Sequence, residues 1–416
     1  RTLPFQSVEN VQETQREAIR VAQDFYEKHG SAMPPIPAEQ IFFEDVEESA
    51  DVEVTGEAVQ VLAKDLAACW RARDVRRFPT AHARLFLFAQ KTIPVGQALD
   101  FLRFGKTFLE KEKTNPEAKN ATTAINRTNT KPEKIGALFQ IFKDENGEFR
   151  AVVNGLFPGG GKLFARWLHL FSPEVLAQLK TWFNSETDTV PFPWQGWSNA
   201  NFQPLVSKTN LAVPDGRTGH LQGGKQILFG NLSVKHGEEG LQLIDNENDE
   251  PVLLTDLGLE SPETRPPAMQ ILWRLGVPYV SLDMLLPERR WVSGGAGWQF
   301  LERVEYGSLV LARKSWQIGL AVTAQWLSEG SDAGFFRRVR KDFLAMRAPR
   351  RFFVRLPQQK PQYFDLDSPL SMQLFAKMLR QAEAPVVLTE MLPLPEQCVV
   401  GKDGLRSAEF VLEIEV

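Results

Sequence analysis

The sequence predicts an α+β fold, with several small mixed or antiparallel sheets, helices packed around them, and at least two subdomains divided near residue 135. Three observations point there. Apolar positions at helical spacing dominate residues 1–134, and strand-like patterns take over in 135–416. Strands and helices then follow one another without the regular βαβ alternation of a parallel sheet. The closing EFVLEIEV alternates strictly and puts Phe410, Leu412, Ile414 and Val416 on one face of a half-buried strand.

The first predicted element is a helix in QETQREAIRVAQDFYEKHG, with Ala18, Ile19, Ala22 and Phe25 near one face and Gly30 as its stop. The Pro-rich MPPIPAEQ leads into a short strand, IFFEDVEES, and then into helices in GEAVQVLAKDLAACWRAR and VGQALDFLRFGKTFLEKEK. The polar TNPEAKNATTAINRTNTKPEK has no periodicity and reads as a loop. IGALFQIFKDENGEFRAVVNGLF reads as two strands around Glu145-Asn146-Gly147, because Asn-Gly tolerates the positive φ of a hairpin turn. Ser172-Pro173 starts a helix, Ser as N-cap and Pro at the first helical position, with Val175, Leu176, Leu179, Trp182 and Phe183 on the inner face. Strands are expected near 226–235, 241–245 and 251–257, the last two joined by the acidic turn DNENDE. GSLVLARKSWQIGLAVT holds two strand-like stretches broken near Lys314, followed by a helix over 333–346 and a strand in RRFFVRL. Ser368-Pro369 repeats the helix start, with Leu374, Phe375, Met378 and Leu379 on the apolar side.

At 416 residues and 43% hydrophobic content the chain can bury a substantial core, which excludes a disordered protein. No run approaches the roughly 20 apolar residues of a membrane span, and RTLPFQSVEN lacks a signal-peptide core, so a cytoplasmic location is expected. Because the chain starts at Arg1 and not at Met, a missing N-terminal portion is expected as well. The cysteines, Cys69 and Cys398, make neither a disulfide framework nor a metal knuckle and read as buried thiols. The scattered His29, His82, His169, His220 and His236 form no HxH or HxxxH pair, and no GxSxG elbow occurs.

The net charge of -4 conceals an asymmetry: residues 1–60 hold 13 acidic against 4 basic residues, whereas 265–355 hold 15 basic against 7 acidic, balances of -9 and +8. The basic block is nearly all Arg, whose guanidinium forks onto phosphate or carboxylate. Interleaved with Trp291, Trp298, Tyr306 and Trp316, it reads either as a surface for RNA or another polyanion or as a solvated face. GLFPGGGKLF imitates a nucleotide-phosphate loop but has five residues between Gly155 and Gly161, and Leu163 in place of the hydroxyl residue. Its N–H groups can still hold an anion, with Arg166 about a turn beyond Lys162. The cluster PFPWQGWSNANFQP, with Trp194, Trp197 and Phe202, offers either stacking or ordinary packing.

Several segments, in order, resemble the lantibiotic dehydratase family: AEQIFFEDV, NGLFPGGGKLFARWLHLF, WSNANFQPLVSKTNLAV, RVEYGSLVLARKSW, APRRFFVRLPQQKPQYFDLDSPLSMQLF, VVLTEMLPLPEQCVV and AEFVLEIEV. The resemblance implies a glutamylation module, 1–134 its helix-rich segment and 135–416 its mixed part with the basic region 265–355. It implies transfer of glutamate from glutamyl-tRNA to Ser or Thr of a precursor peptide, with glutamyl-tRNA as co-substrate and no cofactor. A separate elimination module or cyclase is the implied partner. A related ligase using another amino acid, or a non-catalytic tRNA- or peptide-binding subunit, remain alternatives. Arg166, Arg303 and Arg313, guanidinium groups in mainly apolar stretches resembling the family, are the expected acyl-transfer residues. Lys162, Arg289, Arg290, Arg337, Arg338, Arg350 and Arg351 are the expected tRNA-binding residues. The competing reading for the first three is a buried ion pair.

Overall fold

The computed structural model describes residues 8–32, 54–72, 80–114, 134–185, 189–192, 207–213, 225–238, 240–295, 297–357, 359–401, 404–406 and 408–416. Their strands form three sheets of five or six strands and two two-stranded ribbons, and each large sheet has its own core. The architecture is α+β, as predicted. The expected strand IFFEDVEES and the cluster around Trp194, Trp197 and Phe202 lie outside the described residues, as does nearly all of the polar stretch after Thr114.

The central sheet grows from the predicted hairpin, β2 (Lys134–Lys143) and β3 (Phe149–Pro158). Asp144 closes its turn by accepting the N–H groups of Asn146 and Glu148 at 2.9 and 3.1 Å, and Gly147 takes φ +80°. The last strand, β20 (Phe410–Glu415), joins β2 antiparallel, while β13 (Leu309–Ala312) runs parallel to β3 with β12 (Val304–Tyr306) outside it. Phe410, Leu412, Ile414 and Val416 all pack on this core, together with Leu62, Leu66 and Trp70 of α2 (Gly56–Ala72). Asp65 ties α2 to the β12–β13 turn by accepting both N–H and O–H of Ser308 at 2.7 Å.

A second sheet has the order β1 (Ala98–Asp100), β7 (Leu232–Gly237), β8 (Gly240–Asp245), β9 (Glu250–Thr255), β4 (Thr189–Pro191). Helices α3 (Thr80–Thr92), α4 (Phe101–Thr114) and α6 (Pro267–Gly276) supply much of its core, with Leu211 and Ile227 added from outside the sheet. The helix expected over 95–113 starts only at Phe101, because Ala98–Asp100 pair with β7 and Asp100 caps the helix by accepting the N–H of Arg103 at 2.8 Å. Helix α3 was not predicted. Its run Leu85–Ala89 is buried or half-buried throughout, so it shows little of the polar contrast by which a helix announces itself.

In the third sheet every pairing is antiparallel: β10 (Val292–Gly295), β11 (Trp298–Leu301), β14 (Ser315–Ile318), β17 (Val386–Glu390), β15 (Arg351–Arg355), β16 (Gln362–Asp365). Helices α7 (Leu320–Leu327), α8 (Asp332–Met346) and α9 (Pro369–Leu379) cover it over Trp316, Trp326, Phe343, Phe352 and Phe375. Ser331 and Ser368 cap α8 and α9. Leu374 is 54% exposed, contrary to expectation, because the buried side of the helix is Met372, Phe375, Ala376, Met378 and Leu379.

The remaining elements are α1 (Val8–Lys28), α5 (Pro173–Ser185), and the ribbons β5 (Thr209–Ala212) with β6 (Lys225–Leu228) and β18 (Val399–Gly401) with β19 (Gly404–Arg406). Helix α5 begins at Ser172 as predicted, but Val175 is exposed and Leu176 and Leu179 make the contact with Leu168 and Leu257. Among the described residues no helix is long and apolar enough to cross a membrane.

Candidate active site

The chain crosses between the third and central sheets twice within a few residues. It leaves β11 at Leu301 and enters β12 at Val304, then leaves β13 at Ala312 and enters β14 at Ser315. Glu302-Arg303 and Arg313-Lys314 are these two links, which explains the predicted break near Lys314. Two of the three arginines singled out from sequence therefore stand side by side in the fold, at the seam of two sheets. Arg289 braces both links, donating from Nη2 to the carbonyl of Glu302 at 2.8 Å and to that of Arg313 at 3.3 Å.

Their electrostatic situations differ. Arg303 forks onto Glu390, Nε to Oε1 at 2.8 Å and Nη2 to Oε2 at 2.7 Å, and also reaches Glu305 at 3.4 Å. Glu390, only 8% exposed, further accepts the backbone N–H of Lys314 at 2.7 Å. These hydrogen bonds to Glu390 hold the Arg303 guanidinium in its charged form even more firmly than usual. Arg313 meets only neutral acceptors. Its Nε and Nη2 donate to the carbonyl of Leu392 at 3.0 and 2.8 Å, and Nη2 also donates to Asn154 Oδ1 at 3.1 Å and Gln140 Oε1 at 3.3 Å. Among the described residues no carboxylate lies within 4.0 Å of it. Burial pulls its pKa below the ordinary arginine value, against the opposing pull of Glu390 and Glu409. Arg313 lines a cavity of about 280 Å³ together with Gln140, Phe353, Met391, Leu392, Pro393, Pro395 and Cys398.

The other expected residues lie elsewhere. Arg166 stacks over Trp167, 4.2 Å from the ring centroid, on the short helix Ala165–Leu170, and is not part of the cavity lining. Arg290 is exposed and pairs with Glu288 at 3.3 Å. On α8, Arg337 is exposed, while Arg338 is tied to Asp342 at 3.2 Å. Arg350 and Arg351 enter a carboxylate network, Arg350 with Asp367 at 2.8 Å and Arg351 with Asp365 at 3.1 Å and Glu396.

Lys162 requires a correction. Expected to meet tRNA, it is 6% exposed and closed off by Asp256 at 3.0 Å and the carbonyl of Gly258, and Asp256 in turn accepts Arg265 Nη2 at 2.8 Å. A lysine in a Gly-rich turn can be drawn inward when a buried carboxylate lies behind the turn, and Asp256 is 0% exposed. The turn does hold a carboxyl group, though an internal one: Gly160 and Gly161, with φ of +85° and +90°, donate their N–H groups to the two oxygens of Glu413 at 2.7 and 2.9 Å. Cys398 is half-buried, not buried as expected, because it lies at the cavity wall. Sequence reasoning also missed Glu390, Asn154, Gln140, Asp256 and Arg265. A lone acid ending the apolar strand VVLTE was the one available signal, since a carboxylate placed there needs a cation. Among the described residues no cluster of His, Cys, Asp and Glu is fit to hold a metal ion.

Residues 119–375, more than half of the chain, match the family described as lantibiotic dehydratase, N terminus. The chain belongs to that family. Its fold is similar to that of the glutamylation domain of TbtB from thiomuracin biosynthesis, solved bound to 5'-phosphodesmethylglutamycin, at 17% identity and a TM-score of 0.61, covering 86% of this chain and 49% of that one. A second structure of the TbtB domain gives the same identity and coverage with a TM-score of 0.60. The tRNA-dependent lantibiotic dehydratase MibB from Microbispora sp. 107891 is similar at 16% identity and a TM-score of 0.58, over 81% of this chain and 37% of that one. At such identities the likeness shows the fold, and the chain spans about half the length, or less, of these relatives. No curated protein sequence matches.

Proposed function

We propose that this member of the family transfers glutamate from glutamyl-tRNA to Ser and Thr side chains of a ribosomally made precursor peptide, the first step of dehydration in lanthipeptide synthesis. Family membership and the likeness to TbtB and MibB support the reaction class. The observation that carries the site is Arg313, a fixed guanidinium beside a cavity with neutral acceptors only. In the transfer, the peptide hydroxyl attacks the ester carbonyl, its oxygen bonds to the acyl carbon, the ester C–O bond breaks, and the proton ends on the departing ribose oxygen. The ester is already activated and nothing is oxidised or reduced, so glutamyl-tRNA is the sole co-substrate the step needs. What the protein contributes is position: an acyl donor anchored beside Arg313 and held against the hydroxyl.

Arg303 has a supporting part in this reading. Locked to Glu390, it fixes the first link, and Arg289 ties that link to the second, so that Arg313 is presented in one orientation. The exposed Arg337 of α8 supplies a cation for the tRNA backbone. The precursor peptide is the acceptor, and an elimination module or a cyclase acts on the product.

The test is to incubate the full protein with its precursor peptide and a total aminoacyl-tRNA pool and to read the peptide mass. A glutamyl increment is expected. Another aminoacyl increment assigns the chain to a ligase with a different donor, and an unmodified peptide that is nonetheless bound makes it a binding subunit.

A further inference from the structure

We propose that the cavity beside Arg313 is a binding site for a small carboxylate on a short aliphatic stem. The first argument is charge. Arg313 is a half-buried cation whose Nε and Nη2 are taken by the Leu392 carbonyl, Asn154 and Gln140, leaving Nη1 with no bound acceptor among the described residues. The carboxylates closest in electrostatic effect are committed to other groups, Glu390 to Arg303 and to the N–H of Lys314, and Glu409 to Asn154. A partly desolvated guanidinium with no carboxylate paired to it among the described residues, at the wall of a cavity, favours an anion there.

The second argument is orientation. Asn154 Nδ2 donates to Glu409 Oε1 at 2.8 Å, and a carboxylate can only accept, so the amide oxygen must be the atom turned to Arg313. Glu409 and Asn154 thereby act as positioning residues, holding a neutral acceptor against a cation where a competing carboxylate could have stood.

The third argument is size and lining. At about 280 Å³ the cavity lies at the low end for small-ligand sites, a size that suits an amino-acid side chain better than a whole nucleotide. Phe353, Met391, Leu392, Pro393 and Pro395 are apolar, which suits methylenes and gives nothing to the extra charge and third oxygen of a phosphate. On the transferase reading, on which the identity of the natural ligand rests, the group that fits is the side-chain carboxylate of the glutamyl donor.

Cys398 provides the readout, because it lines the cavity while Cys69 is buried at 6% exposure. The full protein is alkylated with a neutral maleimide and followed by intact mass, with glutaramate, the uncharged glutaramide of the same shape, or inorganic phosphate as the probe. Glutaramate is expected to slow alkylation of Cys398 saturably, glutaramide is expected to have no such effect, and Arg313→Gln is expected to weaken the protection by about tenfold or more. Equal protection by glutaramide, or protection that survives in R313Q, overturns the proposal. Protection by phosphate alone makes the cavity a phosphate site and overturns it too. The comparison of the two amides in the wild-type protein needs no variant, so misfolding of R313Q leaves the test intact. Neither tRNA nor peptide takes part, so an unmodified peptide in the mass assay overturns the transfer reading while saturable protection still upholds the carboxylate site.

Discussion

Arg303 holds Glu390 by both carboxylate oxygens, at 2.8 and 2.7 Å, across a sequence separation of 87 residues. Ten residues after Arg303, Arg313 in the neighbouring link has no such partner among the described residues. The two arginines are therefore expected to respond differently to substitution. Glu390→Gln leaves the Arg303 cation only its longer contact to Glu305 at 3.4 Å, but Arg303 is 36% exposed and partly screened by water, so the loss is expected to be about 2 kcal/mol. Arg313→Gln removes hydrogen bonds to neutral acceptors and is expected to cost about 1 kcal/mol. Urea unfolding of both variants checks the order, and a larger loss in R313Q would make Arg313 the structural cation.

Among the described residues Asp256 is the single carboxylate paired with Lys162 and Arg265, and all three side chains are nearly fully buried. Asp256→Asn should cost roughly 3–5 kcal/mol, because it strands two cations away from water. Burial by itself pushes the Asp256 carboxyl up, but Lys162 and Arg265 outweigh it and hold the group below the usual carboxylate value. A depressed carboxylate contributes stability that is present above its unfolded pKa and lost as pH falls through its folded one. Thermal melts across the acid range should show that loss in the parent and not in D256N.

Glu413 has the opposite sign. Burial raises its carboxyl above the ordinary 4.5, against the N–H groups of Gly160 and Gly161 and the charge of Lys134. The folded state then holds a proton that the unfolded state has released, so this contribution is full below 4.5 and declines as pH rises through the folded pKa. Glu413→Gln, which cannot ionise, should flatten that part of the stability profile. A parent and variant with parallel profiles over this window would show that Glu413 is ordinary.

On α8, Arg337 and Arg338 are adjacent but not equivalent, Arg337 being exposed and Arg338 tied to Asp342 and Gln325. If the helix meets tRNA phosphates, Arg337→Gln should lower the slope of log affinity against log salt by about 1. Arg338→Gln should change it much less, and neither variant should alter the melting temperature by more than about a degree or two. Filter binding over a salt series measures both slopes; equal slopes would remove α8 from the interface.

What the sequence by itself determined is what a few neighbouring residues decide. Glu145-Asn146-Gly147 turn the hairpin, Ser172 and Ser368 cap their helices, and alternation in the last strand places its apolar face, because these interactions close within a turn or a strand's own period. Helix α3 escaped because an element buried on most sides loses the contrast that periodicity needs. At the candidate site the sequence marked Arg303 and Arg313 as cations in apolar surroundings, which is a local property. It could not say which is neutralised, since that depends on Glu390, Asn154 and Leu392 arriving from segments distant in the chain. In the same way Lys162 carried the local signature of an anion-binding turn, and only the tertiary structure put Asp256 behind it and Glu413 over the N–H groups. Charge pairing acts through space over a few ångströms, so the partner of a buried charge is decided by where the sheets cross and not by the order of residues.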